Sequence, residues 1–285
     1  MTRLMTPAEK QRFRGYFASL NVDAAVVTGE ATSVYNCISW TVGIADRWLW
    51  PGPTIQQFDT FYRQFGHVRA GNGPIAAWGH SNSSMTHGSI SGPAHGPRWE
   101  SKCGTDLRIQ HALAELEGSS YGRVLAFYAR SLAIAAPASK LLQVPKKTMK
   151  PTATAKQRAA LKSTASEVDP KTRQTFHSAF AAWKKTWFQG GLAISSDPHT
   201  RTVGKEFDAL VALGPKILPL VVEGLADPDN FLALQLYDTL QPNPNLVVQF
   251  EPDDERILLG EQGRALEVIK QWLASHQVAS SKESF

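Results

Sequence analysis

The chain predicts an α+β fold: an N-terminal domain built on a small antiparallel sheet, followed by an all-helical C-terminal domain. Three observations carry this. Short apolar runs bounded by Gly, Pro, Asn and Ser recur between Asp23 and Tyr128. Aromatic residues at Phe176, Phe180, Trp183 and Trp187 repeat at helical spacing. Between the two halves, nine basic residues from Lys140 to Arg173 face only Glu167 and Asp169, a composition that favours a solvated segment.

The domain boundaries follow: an α+β domain over 1–135, a basic, partly disordered linker over 136–174, a helical domain over 175–277 and a disordered tail over 278–285. At 285 residues and 42% hydrophobic, the chain is long enough for a proper core in each domain. The net charge of +5 is concentrated in the linker. A nucleic-acid-binding arm is the sharper reading of that segment. No aromatic residue interleaves its charges, which speaks against one.

Two cysteines, Cys37 and Cys103, are too few for a disulfide framework in a chain of this size. The opening residues lack the apolar stretch of a secretory leader. No apolar run is long enough to span a membrane. A cytoplasmic protein with free thiols is the expectation, with no cofactor called for.

Thr6-Pro7-Ala8-Glu9 is a helix start, with Thr as cap and Pro at the first helical position; the helix runs towards Leu20. Asp23 to Glu30 reads as a strand and turn, and Cys37 opens a helix to Ile44. After the break at Trp50-Pro51-Gly52-Pro53, Thr54 caps a helix with Phe58, Phe61, Tyr62 and Phe65 on one face. Ile75 to Gly79 and Met85 to Ser91 form a hairpin around a polar turn, and Arg98 to Gly104 is a third strand. Asp106 to Glu117 reads as a short helix, with Leu107 and His111 on nearby faces. Tyr121 to Tyr128 is a strand or a buried helix. Further on, helices cover Phe176–Phe188, Val203–Leu213, Pro215–Ala226, Phe231–Leu240 and Gly260–His276. The Phe176–Trp187 stripe reads as core rather than as a ligand platform.

Five of the eight histidines (His67, His80, His87, His95 and His111) and both cysteines lie in the N-terminal half. Cys37 has two readings. It is a small buried hydrophobe beside Trp40, or a nucleophile whose pKa is lowered by a helix N-terminus. His87, at a strand start downstream, is the candidate base. Cys103, in a strand-and-turn setting, reads as structural. A metal site drawn from His80, His87, His95, Cys103 and His111 is the rival, but no pair shows the close spacing of zinc ligands.

Asn36-Cys37-Ile38-Ser39-Trp40 is similar to the Asn-Cys-x-x-Trp of papain-like folds. The order of Cys on a helix, His on a hairpin strand and a polar group on the next strand resembles NlpC/P60-type cysteine hydrolases. Thr86-His87-Gly88-Ser89, Trp99-Glu100-Ser101-Lys102-Cys103-Gly104, Ile109-Gln110-His111 and Tyr121-Gly122 look like an uncharacterised papain-like domain, over roughly residues 30–130. Ile38-Ser39 stands where NlpC/P60 proteins carry Ser-Gly.

The resemblance implies a Cys-His hydrolase or acyl transferase acting on an amide or ester bond of a protein or peptide. Cys37 would be the nucleophile, His87 the base, and Glu100, Ser101 or His111 the group that orients the imidazole. In the second half, the helix, Leu213-Gly214-Pro215, helix, Asp227-Pro228-Asp229, helix pattern resembles one HEAT-type unit, a surface for a protein partner or a regulator of access. The alternative class is a non-catalytic interaction protein whose Cys and His residues pack structurally.

Overall fold

The computed structural model describes residues 2–92, 96–131 and 152–282; His95 and the first part of the expected linker lie outside them. The described residues form two units. The first comprises the chain up to residue 131 together with 188–197 and 251–258, and the second comprises 152–187, 198–250 and 259–282. The class is α+β, with an antiparallel sheet in the first unit and helices in the second. Among the described residues, no helix is long and apolar enough to cross a membrane.

In the first unit, eight strands among the described residues form one antiparallel sheet: β1 (Arg3–Leu4), β2 (Val26–Gly29), β3 (His67–Ala70), β4 (Ile75–Ser81), β5 (Ser84–Gly92), β6 (Gly96–Lys102), β7 (Arg108–His111) and β8 (Arg123–Arg130). Their order is β1-β2-β7-β6-β5-β4-β8-β3. The β4–β5 hairpin falls where alternation placed it, pairing Trp78 with His87 and Ala77 with Gly88.

Among the described residues, three α-helices accompany the sheet. α1 (Pro7–Tyr16) starts on the Thr6/Glu9 capping box and is shorter than expected, because Phe17 turns extended. α2 (Cys37–Thr41) packs on β5. α3 (Ile55–Gln64) opens on a Thr54/Gln57 capping box and buries Phe58, Phe61 and Tyr62. One apolar cluster joins Phe13 and Phe17 to Trp78, Cys103, Ile109, Tyr121 and Ile194.

Two expectations need correction. Residues 106–117 form β7 and a 3-10 turn at Leu113–Leu116 rather than a helix. Ile109 and His111 are buried while Arg108 and Gln110 are less so. That period of two outweighs the i, i+4 relation of Leu107 and His111 once β2 and β6 supply partners. The later part of the expected linker is also ordered, with α4 over Ala155–Ser166 and α5 over Pro170–Thr186. Thr154 and Gln157 form a capping box, and Asp169-Pro170 starts the second helix. Leu161 and Ala165 are buried, and Lys156, Arg158 and Lys162 lie on the wet side of a packed helix.

The second unit continues with α6 (Lys205–Val211), α7 (Leu218–Leu225), α8 (Leu234–Leu240) and α9 (Gly260–Lys282), the last running into the residues expected as tail. The segment before α8 is a 3-10 turn over Pro228–Ala233. Leu218 and Leu236 are both buried. Replacing either by Ala should cost roughly 2–5 kcal/mol, read as a lower unfolding midpoint in urea. An unchanged midpoint in both variants would contradict the packing.

Candidate functional site

Cys37 is the first residue of α2, and Asn36 is the reason the helix begins there. Its side-chain oxygen accepts the Ser39 N–H at 3.0 Å, while its amide donates to the Leu49 carbonyl at 2.6 Å. The asparagine thus caps α2 and ties it to the following loop. The thiol is fully buried. It lies 3.0 Å from the Ser196 hydroxyl and takes hydrogen bonds from the Gly88 and Ile38 N–H groups.

Gly88 keeps the space beside this approach tight but open. A Cβ there would meet Tyr62 Oη at 3.1 Å and the Ile38 and Thr41 side chains at 3.2 Å. Tyr62 is itself pinned, its hydroxyl 2.9 Å from that of Thr41. Burial pushes the Cys37 thiol up to about 11, against the smaller lowering effects of Ser196, Gly88 and Ile38. The expectation of a lowered pKa is therefore corrected for this state: removal from water outweighs the donors.

His87 does not hydrogen-bond to Cys37. Strand alternation turns its ring to the face that carries Trp78. It stacks on Tyr121, centroids 3.9 Å apart and planes 6° from parallel, with Trp78 edge-on at 6.3 Å. The ring is fully buried, and among the described residues neither nitrogen has a hydrogen-bond partner. Burial lowers its pKa well below the usual range, with His111 adding to the effect.

The three candidates for an orienting group are engaged elsewhere. Trp78 Nε1–H donates to Ser89 Oγ at 2.9 Å, Ser89 and Ser101 share a 2.7 Å bond, and Ser101 lies 2.8 Å from His111 Nε2. His111 Nδ1 is 2.7 Å from the Ala112 carbonyl. An indole nitrogen only donates and a carbonyl only accepts. The row therefore runs one way: indole to Ser89, Ser89 to Ser101, Ser101 to Nε2, and Nδ1–H to Ala112. His111 is neutral and saturated, and burial lowers its pKa to about 4.

Glu100 is ion-paired with Arg108 Nε at 3.0 Å, and that guanidinium lies 3.8 Å from the Trp40 ring centroid. None of Glu100, Ser101 and His111 bonds to the His87 ring. Cys103 is buried in the apolar cluster, its thiol raised by burial. Among the described residues, no three His, Cys, Asp or Glu side chains gather as metal ligands.

Lys102 and Ser196 were not singled out from sequence. Lys102 is fully buried and donates to the carbonyls of Thr32, Gly104 and Asp106 at 2.7–3.1 Å. Alternation along β6 gave no sign of it, since Lys102 shares its parity with Arg98 and Glu100 rather than with Trp99. Ser196 lies 159 residues from Cys37, and no local pattern announces it.

No curated protein and no solved structure matches the chain. Residues 26–129, which run from β2 into β8 and include Cys37, His87, Glu100, Ser101 and His111, are similar to a family described as Domain of unknown function (DUF7689).

Proposed function

We propose that the N-terminal unit is a papain-like, thiol-dependent hydrolase or acyl transferase, described here in a covered state. It would act on an amide or ester bond of a protein or peptide. The observation that carries this reading is the imidazole of His87, wholly buried with both nitrogens unpartnered, on the residue next to the glycine whose N–H meets the Cys37 sulfur. A neutral imidazole always carries one N–H and one lone pair. Leaving such a group buried without a partner costs roughly 1–3 kcal/mol, and groups kept at that cost need an explanation other than packing. His111 supplies the contrast, because both of its nitrogens are satisfied.

In the reaction the His87 ring would have to leave its stack on Tyr121 and reach the α2 side of β5; the Cys37 proton then passes to a ring nitrogen and the sulfur attacks the carbonyl carbon. The tetrahedral adduct collapses to a thioester as the imidazolium returns the proton to the departing amine or alcohol. Water or an acceptor amine, deprotonated by His87, then attacks the thioester and regenerates the thiol. His87 works without Glu100, Ser101 or His111, so the machinery is a dyad. The second unit supplies a surface for a protein partner.

A second reading, a non-catalytic interaction module, is favoured by one observation: the thiol is sealed and its pKa is raised. Acylation by p-nitrophenyl acetate, read by mass spectrometry at each cysteine, separates the two. The hydrolase reading expects a thioester on Cys37 that turns over. Cys37→Ala and His87→Ala should each abolish turnover with the fold retained, the double variant should be no worse, and Cys37→Ser should be nearly inactive. Acylation spread evenly over Cys37 and Cys103, indifferent to His87→Ala, would support the interaction module.

A further inference from the structure

Residues 188–197 belong to the first unit, although the chain on either side, through Trp187 and from Pro198, belongs to the second. The segment opens with a 3-10 turn at Gly190–Ala193 and then lies across the thiol. Three of its carbonyls accept from donors of the sheet unit. Ala193 O accepts from Thr105 N at 2.7 Å and from Thr105 Oγ1 at 3.0 Å. Ile194 O accepts from Tyr121 Oη at 3.0 Å. Ser196 O accepts from Trp48 Nε1 at 2.9 Å, and Ser196 Oγ meets Cys37 Sγ.

Gly104, at φ +52°, leaves room for the Ala193 carbonyl where any Cβ would collide with it. Ala193 and Ile194 are the segment's buried apolar side chains. The attachment combines hydrogen bonds that water can replace with the burial of Ala193 and of Ile194, the latter inside the apolar cluster of the sheet unit; a short segment held in this way can open locally before the whole unit unfolds. Tyr121 links the row to both candidate groups, since its hydroxyl holds Ile194 and its ring holds His87.

We propose that residues 188–197 are a detachable strap, docked on Thr105, Tyr121, Trp48 and Cys37, whose release uncovers the thiol and gives an acyl substrate access to it. The inference rests on the hydrolase reading for what happens after release, but not for the release itself. Because both ends of the strap continue into the second unit, a change in that unit reaches the thiol along the chain.

The test is alkylation of the full-length chain by iodoacetamide under native conditions, with Cys37 and Cys103 read separately by mass spectrometry. Cys37 is expected to react at least tenfold faster than Cys103, with a weaker dependence on low concentrations of urea. Thr105→Val and Tyr121→Phe each delete one strap hydrogen bond and should each raise the Cys37 rate roughly five- to tenfold; Cys103 stays unchanged in Thr105→Val, whereas Tyr121→Phe, whose hydroxyl also meets the Cys103 thiol, is read at Cys37 alone. Equal rates and equal urea dependence for the two thiols, unaltered in Thr105→Val, would overturn the strap, since Cys37 would then be exposed by global unfolding alone. Adding His87→Ala to Thr105→Val separates the two ideas. Fast alkylation with acyl turnover unaffected by the loss of His87 keeps the strap and removes the dyad. His87-dependent turnover with alkylation insensitive to both strap variants keeps the dyad and removes the strap.

Discussion

Replacing Trp183 by Ala should remove roughly 3–5 kcal/mol from the helical unit. Trp183 is buried on α5, with Trp187 edge-on at 4.9 Å, Phe207 at 5.3 Å and Phe180 at 5.9 Å. Its indole nitrogen donates to the Arg201 carbonyl at 2.9 Å. Truncation opens a cavity among three rings and leaves that carbonyl without its donor, a further loss of about 1 kcal/mol. The unfolding midpoint of this unit should fall by on the order of 10–20 °C. Trp183→Phe retains most of the packing and should lose only about 1–2 kcal/mol, mainly for the missing donor. A loss below about 1 kcal/mol for the alanine variant would show that the ring lies outside the core.

Acid should destabilise the sheet unit well before its carboxylates titrate. His87 and His111 both have folded pKa values below their ordinary value of 6.5. As pH falls, the unfolded chain therefore takes up protons that the folded unit refuses. The stability these residues confer is full above pH 6.5 and drains away as pH falls towards the folded values. For His111 the fall from 6.5 to about 4 corresponds to about 3 kcal/mol. The geometry explains the size. A proton on Nε2 leaves the Ser101 hydroxyl without its acceptor, and if Ser101 turns back to donate to Ser89, the Ser89 O–H loses its own acceptor in the row. Urea titrations at pH 7 and pH 4.5 should show the loss, and His111→Gln should flatten it. A pH dependence of equal slope in wild type and variant would mean that His111 titrates normally in the folded unit.

Much of the first unit was legible because its signals are local. The Thr6 and Thr54 capping boxes, the turn between β4 and β5, and Asn36 ahead of Cys37 each act within a few residues. The aromatic stripe of α5 was legible for the same reason. What escaped depends on partners distant in the chain. β7 became a strand because β2 and β6 flank it. α4 was hidden by its charge, although Thr154 and Gln157 were in view. At the site, the helix start of Cys37 and the strand of His87 were readable. The raised thiol was not, since burial is a property of the assembled unit and Ser196 comes from far along the chain.

The path of the backbone has a consequence for how the molecule is made. The sheet unit is finished by residues 188–197 and again by 251–258, where the Leu258 carbonyl accepts from Arg47 at 2.7 Å. During synthesis, its N-terminal strands therefore emerge long before the pieces that complete them, and the usual order of one domain after the other does not apply. Closing such distant contacts is slow, so the unsealed sheet, with its thiol uncovered, has a lifetime of its own on the ribosome. A nascent chain halted before residue 188 would present Cys37 to solvent, and one released after residue 258 would not.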